Sequence, residues 1–230
     1  MQTNTQNKHS IPIAVIIAGV LIAGAIFYSS GKNKIANNPY PQAGTVDIND
    51  VDTTNEPFIG NTDAPVTLVY WADFQCPFCK RFDLQTLPTL VNQYVKNGKL
   101  KVIFKDFQFL GPDSQTAGLA AKAVWELYPD RYFAWHQTIF EAQDGENSGF
   151  GSKEDIIGLT RTIEGIDADA VARLMDQKQA EYQEEQNEDK AEGVSFGIKV
   201  TPGFIIGSQT IFGAQPASVF VELIEIELNK

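Results

Sequence analysis

The chain has 230 residues, 43% hydrophobic and 11% aromatic, enough to bury one good core and a small second lobe, which excludes a disordered or fibrous protein. Its 18 basic and 29 acidic residues leave a formal net charge of −11, a balance that excludes a nucleic-acid binder, because phosphates demand a basic face.

Residues 11–28 form an almost wholly apolar run, and no formal charge interrupts the chain between Lys8 and Lys32. A helix of that length reaches roughly 30 Å, the thickness of a bilayer core. The rival is a cleaved signal peptide, since Ala23-Gly24-Ala25 resembles a cleavage site, but the run exceeds the about 7 to 15 residues of a signal core. A retained transmembrane helix within 1–35 is therefore expected. Lysines flank it on both sides, so orientation rests on the short N-terminal tail and on the redox chemistry below, which needs an oxidising compartment. Residues 36–57 turn polar, with Asn37-Asn38-Pro39, Pro41 and Gly44, and lack periodicity; they read as a flexible spacer of about 25 Å end to end.

Residues 66–71, led in by Asp63-Ala64-Pro65, read as a buried strand. Immediately after it stand Cys76 and Cys79 in Asp73-Phe74-Gln75-Cys76-Pro77-Phe78-Cys79. Leu84, Leu87, Val91, Tyr94 and Val95 then recur at helical spacing up to an Asn97-Gly98 stop, with Pro88 predicting a kink. A second strand at 101–107 completes a βαβ unit, which favours parallel pairing. The stretch 111–193 has helical periodicity throughout and reads as a helical insertion, with Ser152 and Asp155 marking one helix start and the acidic run 181–192 a solvated face. After Thr201-Pro202-Gly203, two apolar runs flank Gly207-Ser208 as a hairpin, and Pro216 opens a last helix.

A strand running into Cys-x-x-Cys at a helix start is an arrangement with chemical consequences. The first cysteine meets backbone N–H groups that lack partners, and the helix dipole favours its thiolate. Moving a thiol pKa from about 8.5 to about 6 takes roughly 3.4 kcal/mol. The dipole offers about 0.3 to 2, so direct contacts must supply the rest. Cys76 is accordingly the candidate nucleophile and Cys79 the resolving partner. Zinc is disfavoured because structural sites need four ligands and only His9 and His136 remain. His136, beside Trp135, reads as a packed or surface histidine. Among the nearby aromatics, Phe107 is expected in the core and Phe78 at a groove.

The cysteine stretch, the helical insertion and Val200-Thr201-Pro202-Gly203-Phe204 together resemble the DsbA-like branch of the thioredoxin superfamily, over about 58–230. The resemblance implies an α/β thioredoxin-like fold with the insertion between the βαβ unit and a C-terminal ββα unit. It implies a cis Pro202 facing the cysteines, substrate contacts from Thr201, Pro77 and Phe78, and no cofactor. It further implies protein substrates carrying thiols or disulfides, and a membrane redox partner that reoxidises or re-reduces the pair. With the anchor, the enzyme is expected at the cell membrane with its catalytic domain outside the cytoplasm.

Two positions depart from the family pattern. Phe78 offers a thiolate no hydrogen bond where strongly oxidising members carry histidine. Tyr70 stands six residues before Cys76, where many members carry a buried acid, so a proton relay through a carboxylate there is not expected, and Asp73 is not its replacement. A disulfide-forming oxidase of secreted or envelope proteins is the expected function, with a reductase or isomerase of the same fold, or a binding or chaperone module with a structural disulfide, as the alternatives.

Overall fold

The computed structural model describes residues 46–146 and 148–230. The expected transmembrane helix and residues 36–45 of the expected spacer lie outside the described residues. Among the described residues no helix is long and apolar enough to cross a membrane.

The elements in chain order are β1 (Phe58–Ile59), β2 (Val66–Ala72), α1 (Pro77–Arg81), α2 (Leu87–Leu90) and β3 (Leu100–Asp106). Then come α3 (Pro112–Leu127), α4 (Pro129–Ala142), α5 (Lys153–Thr160), α6 (Ala168–Gln177) and α7 (Gln179–Ser195). The chain closes with β4 (Gly203–Ile206), β5 (Gln209–Phe212) and α8 (Ala217–Leu228). The sheet order is β1-β3-β2-β4-β5. β2 and β3 pair in parallel from Val66 opposite Leu100 to Ala72 opposite Asp106, and the other neighbours are antiparallel. A thioredoxin-like α/β sheet with an all-helical insertion between its two halves is thus present, as the sequence led one to expect.

The apolar pattern explains which faces are covered. Leu68, Tyr70, Val102, Phe104, Phe204 and Ile206 point to one face, where Phe82, Leu87, Leu90 and Phe220 bury against them. Val69, Trp71, Ile103 and Ile205 point to the other, under Phe107, Ile198 and two residues of the stretch read as spacer, Val46 and Val51. Alternation in β2 and β4 sends side chains to two buried faces. Residues 46–57 are therefore packed against the sheet instead of trailing as spacer, and the Pro57 carbonyl accepts a 2.8 Å bond from the Phe104 N–H. Their Asp and Asn content hid the apolar side chains at Val46 and Val51.

Pro88 leaves its mark as wide turns. π-helical turns at Phe82–Thr86 and Val91–Val95 flank α2, and the first takes up the missing N–H and ring bulk of the proline. Ser152 and Asp155 form a reciprocal capping box at the start of α5. The acidic run is not merely solvated: Asp189 of α7 is buried, 2.9 Å from Lys105 and 3.1 Å from Lys122. Around these lysines also sit Glu56, 3.2 Å from Lys122, and Glu192, 2.6 Å from Lys105. Buried lysines need carboxylates beside them, and α7 supplies those on its inner side.

Candidate active site

β2 delivers the chain to the start of α1 through a turn in which the Cys76 N–H donates to the Asp73 carbonyl at 3.0 Å. Asp73 itself is a buried brace. One carboxylate oxygen accepts from the Gln75 N–H at 2.8 Å, and the other accepts from the Phe109 and Leu110 N–H groups at 2.8 and 3.1 Å. Gln143, at the end of α4, donates its amide to the Phe74 carbonyl at 2.5 Å and to that of Cys76 at 3.3 Å. The cysteine turn is thereby fixed from two sides before any chemistry is considered.

Cys76 is the N-cap of α1, with extended backbone at φ −78°, and Pro77 follows where a helix needs no N–H. Cys79 sits inside the helix and is fully buried, while 4% of Cys76 is exposed. Both are separate thiols in this structure. The Thr201–Pro202 peptide is cis, Pro202 is buried, and the Thr201 carbonyl lies 3.5 Å from the Cys76 sulfur. The structure thus brings Cys76, Cys79, Pro77, Thr201 and Pro202 together. Phe78 is 52% exposed, with the Arg81 guanidinium 5.1 Å from its ring centre. Phe109 and Val200 are also exposed, whereas Phe107 and Phe74 are core residues.

The two thiols are driven in opposite directions. Cys76 is pushed down to about 6, chiefly because the Cys79 thiol donates to its thiolate. Burial opposes this, and the Thr201 side chain and the backbone N–H groups of Cys79 and Phe78 add to it. Cys79 is pushed well up, first by burial, then by its bond to Cys76 and the negative charge there. Lys80 and Arg81 contribute no hydrogen bond to the sulfur. Lys80 donates to the Glu141 and Gln143 carbonyls, and Arg81 reaches the Ala214 carbonyl at 3.3 Å.

Beneath Cys79 lies a group that sequence reasoning missed. The Tyr70 hydroxyl donates to Asp83 at 2.6 Å, and burial first, then the charges of Asp83 and Cys79, push its pKa well up. The other Asp83 oxygen lies 2.7 Å from Nε2 of His136, which is 1% exposed. His136 is thus packed, but against a carboxylate. The available signal was spacing: Asp83 falls four residues after Cys79 on one helix, hence on the same face, in an otherwise apolar setting.

Residues 52–226 match a family model described as Thioredoxin. The chain is 26% identical over 193 residues to disulfide bond formation protein D of Bacillus subtilis strain 168, covering 84% of this chain and 86% of that protein. It is similar to the crystal structure of oxidised BdbD from Bacillus subtilis, with TM-score 0.74 and 25% identity, covering 83% of this chain and 100% of that one. A thiol-disulfide exchange protein from Wolbachia pipientis, alpha-DsbA2, is similar at TM-score 0.65 and 27% identity, over 75% of this chain and 87% of that one.

Proposed function

Because the chain belongs to the thioredoxin family, as a DsbA-like thiol:disulfide oxidoreductase, we propose that it is a disulfide-forming oxidase of proteins outside the cytoplasm. In this reading Cys76 is the nucleophile and Cys79 the resolving cysteine. Pro202 and Thr201 align the client chain, while Pro77 and Phe78 border its binding surface. A client thiolate attacks the Cys76 sulfur of the Cys76–Cys79 disulfide, and Cys79 leaves. A second client thiolate attacks the client sulfur of the mixed disulfide, and Cys76 leaves as a thiolate. A membrane partner then accepts the two electrons and restores the disulfide. The apolar run 11–28 supports a single-pass anchor that holds the domain at the outer side of the membrane.

The observation that carries this reading is the opposed pair of thiols, Cys76 pushed down to about 6 at a helix start and Cys79 pushed up behind it. A stable Cys76 thiolate makes Cys76 a good leaving group, which favours giving the disulfide away. Phe78, whose side chain offers no hydrogen bond to that thiolate, is the observation that favours a weaker oxidant, a reductase or an isomerase.

The full-length Cys79→Ser protein, given a reduced unfolded client and a mild oxidant, is expected to accumulate a mixed disulfide at Cys76 that dithiothreitol releases. A variant that forms no such adduct would make the cysteine pair structural and the protein a binding module.

A further inference from the structure

When the first client thiolate attacks, the electron pair of the broken S–S bond stays on Cys79. That sulfur is fully buried, and burial holds its thiol form well into the alkaline range. One proton must therefore reach it from water for each disulfide given away. The position six residues before Cys76 holds Tyr70, not a carboxylate, and a tyrosine cannot be the terminal source of that proton.

Three further observations define a route. The Tyr70 hydroxyl donates to Asp83, which stands one turn beyond Cys79 in the chain, and Asp83 bridges Tyr70 and His136. His136 has its Nδ1 buried with no protein partner among the described residues, and the rings of Phe74, Phe104, Tyr132 and Phe140 surround the imidazole at 4.5 to 5.7 Å between centroids. A neutral ring with its proton on Nε2 gives Asp83 a donor and leaves an acceptor, not an orphaned N–H, at Nδ1. His136 also lines a cavity of about 10 Å³, room for about one water centre, which Lys105, Asp106 and Lys122 line as well. Those two lysines line, in turn, an open pocket of about 480 Å³ together with Glu56, Asp189 and Glu192.

We infer that Cys79 exchanges its proton with solvent at the C-terminal end of β3, through Tyr70, Asp83, His136, one water in the small cavity, and Asp106. In the client-oxidising direction Tyr70 gives its proton to the Cys79 thiolate and is refilled from Asp83 and His136. The imidazole takes a proton at Nδ1 from the cavity water, which Asp106 replenishes. The net change is one proton from bulk water onto Cys79, with no electrons moved along the chain. Asp106 suits its place, because burial pushes it up to about 7, against the pull of Lys122 at 3.7 Å. The negative charges of Asp189 and Glu185 raise Asp106 further. Gln108, 2.7 Å away, lowers it.

This inference rests on the oxidoreductase reading, and the test separates the two. The oxidised full chain is mixed with dithiothreitol and the single-turnover reduction is followed through neutral pH in H₂O and D₂O. The wild type, Tyr70→Phe, His136→Gln and Asp106→Asn are compared, with alkylation of Cys76 in the reduced form as a control for its own thiolate. The glutamine of His136→Gln keeps a donor for Asp83 but cannot pass a proton through, and the asparagine of Asp106→Asn keeps an acceptor for Gln108. Neither His136 nor Asp106 touches a cysteine. All three variants are expected to slow reduction by about tenfold or more and lose the deuterium effect, the scale of a lost acid-base step, with Cys76 alkylation unchanged. Should His136→Gln prove unfolded by thermal melting, Asp106→Asn carries the test alone. Slowing in Tyr70→Phe only would overturn the route, as would wild-type rates in all three. A wild-type chain that dithiothreitol does not reduce would refute the oxidoreductase reading instead.

Discussion

Removing the Cys79 thiol should raise the Cys76 pKa, because that thiol is the largest single influence holding it at about 6. A hydrogen bond to a charged group contributes about 1.5 to 3 kcal/mol, which at about 1.36 kcal/mol per pH unit corresponds to about one to two units. Cys76 keeps a small contact with water, so screening favours the lower end. In Cys79→Ala the thiolate is expected to form near about pH 7, while Cys79→Ser, which retains a donor, should stay close to the wild type. Thiolate absorbance in the ultraviolet, titrated on the reduced proteins, reads this directly. A Cys79→Ala protein that still titrates near 6 would refute the reasoning and assign the stabilisation to Thr201 and the helix N–H groups. The same perturbation sets a pH dependence. The folded Cys76 value lies below its ordinary 9.0, so its stabilising contribution to the reduced protein is fully present above about pH 9. It declines as pH falls and is lost below about 6.

Gln143→Ala removes the amide that bridges the Phe74 and Cys76 carbonyls; a loss of about 1 to 3 kcal/mol is expected in urea unfolding, the cost of orphaned buried acceptors. Lys122→Met leaves Glu56 and Asp189 with Lys105 as their remaining close cation and removes the ion pair of Asp106, and should destabilise the domain by roughly 3 to 5 kcal/mol in the same assay. Gly207→Ala puts a Cβ about 2.0 Å from a Glu227 carboxylate oxygen at a φ of +57°. Calorimetry should show a lower Tm, and restoring the space with Glu227→Ala should recover only part of it, since the backbone strain of about 1 to 2 kcal/mol persists.

The parts of this fold that the sequence disclosed are those written in period and spacing. Val66 to Ala72 and Leu100 to Asp106 are apolar runs that only a doubly covered sheet accommodates, and the cysteine motif falls where a strand must become a helix. The pairing of Cys76 with Cys79 and the nearness of Thr201 followed from motif and resemblance. What stayed hidden depends on polar groups that meet in three dimensions. Asp83, His136 and Tyr70 are 13 to 66 residues apart, and no periodicity links them. Asp189 resembled its acidic neighbours in α7, yet it turns inward to two buried lysines, one from β3 and one from α3. Val46 and Val51 were masked by the Asp and Asn around them, because composition averages over side chains while burial selects single ones.

The direction of electron flow is the central claim, and the reduction potential of the Cys76–Cys79 pair tests it most directly. The full chain would be equilibrated with glutathione redox buffers and the thiols trapped and counted. An oxidase built on a stabilised Cys76 thiolate predicts a value at or above about −180 mV, toward the about −120 mV of strong oxidants. A value near about −270 mV would contradict it and make the protein a reductase.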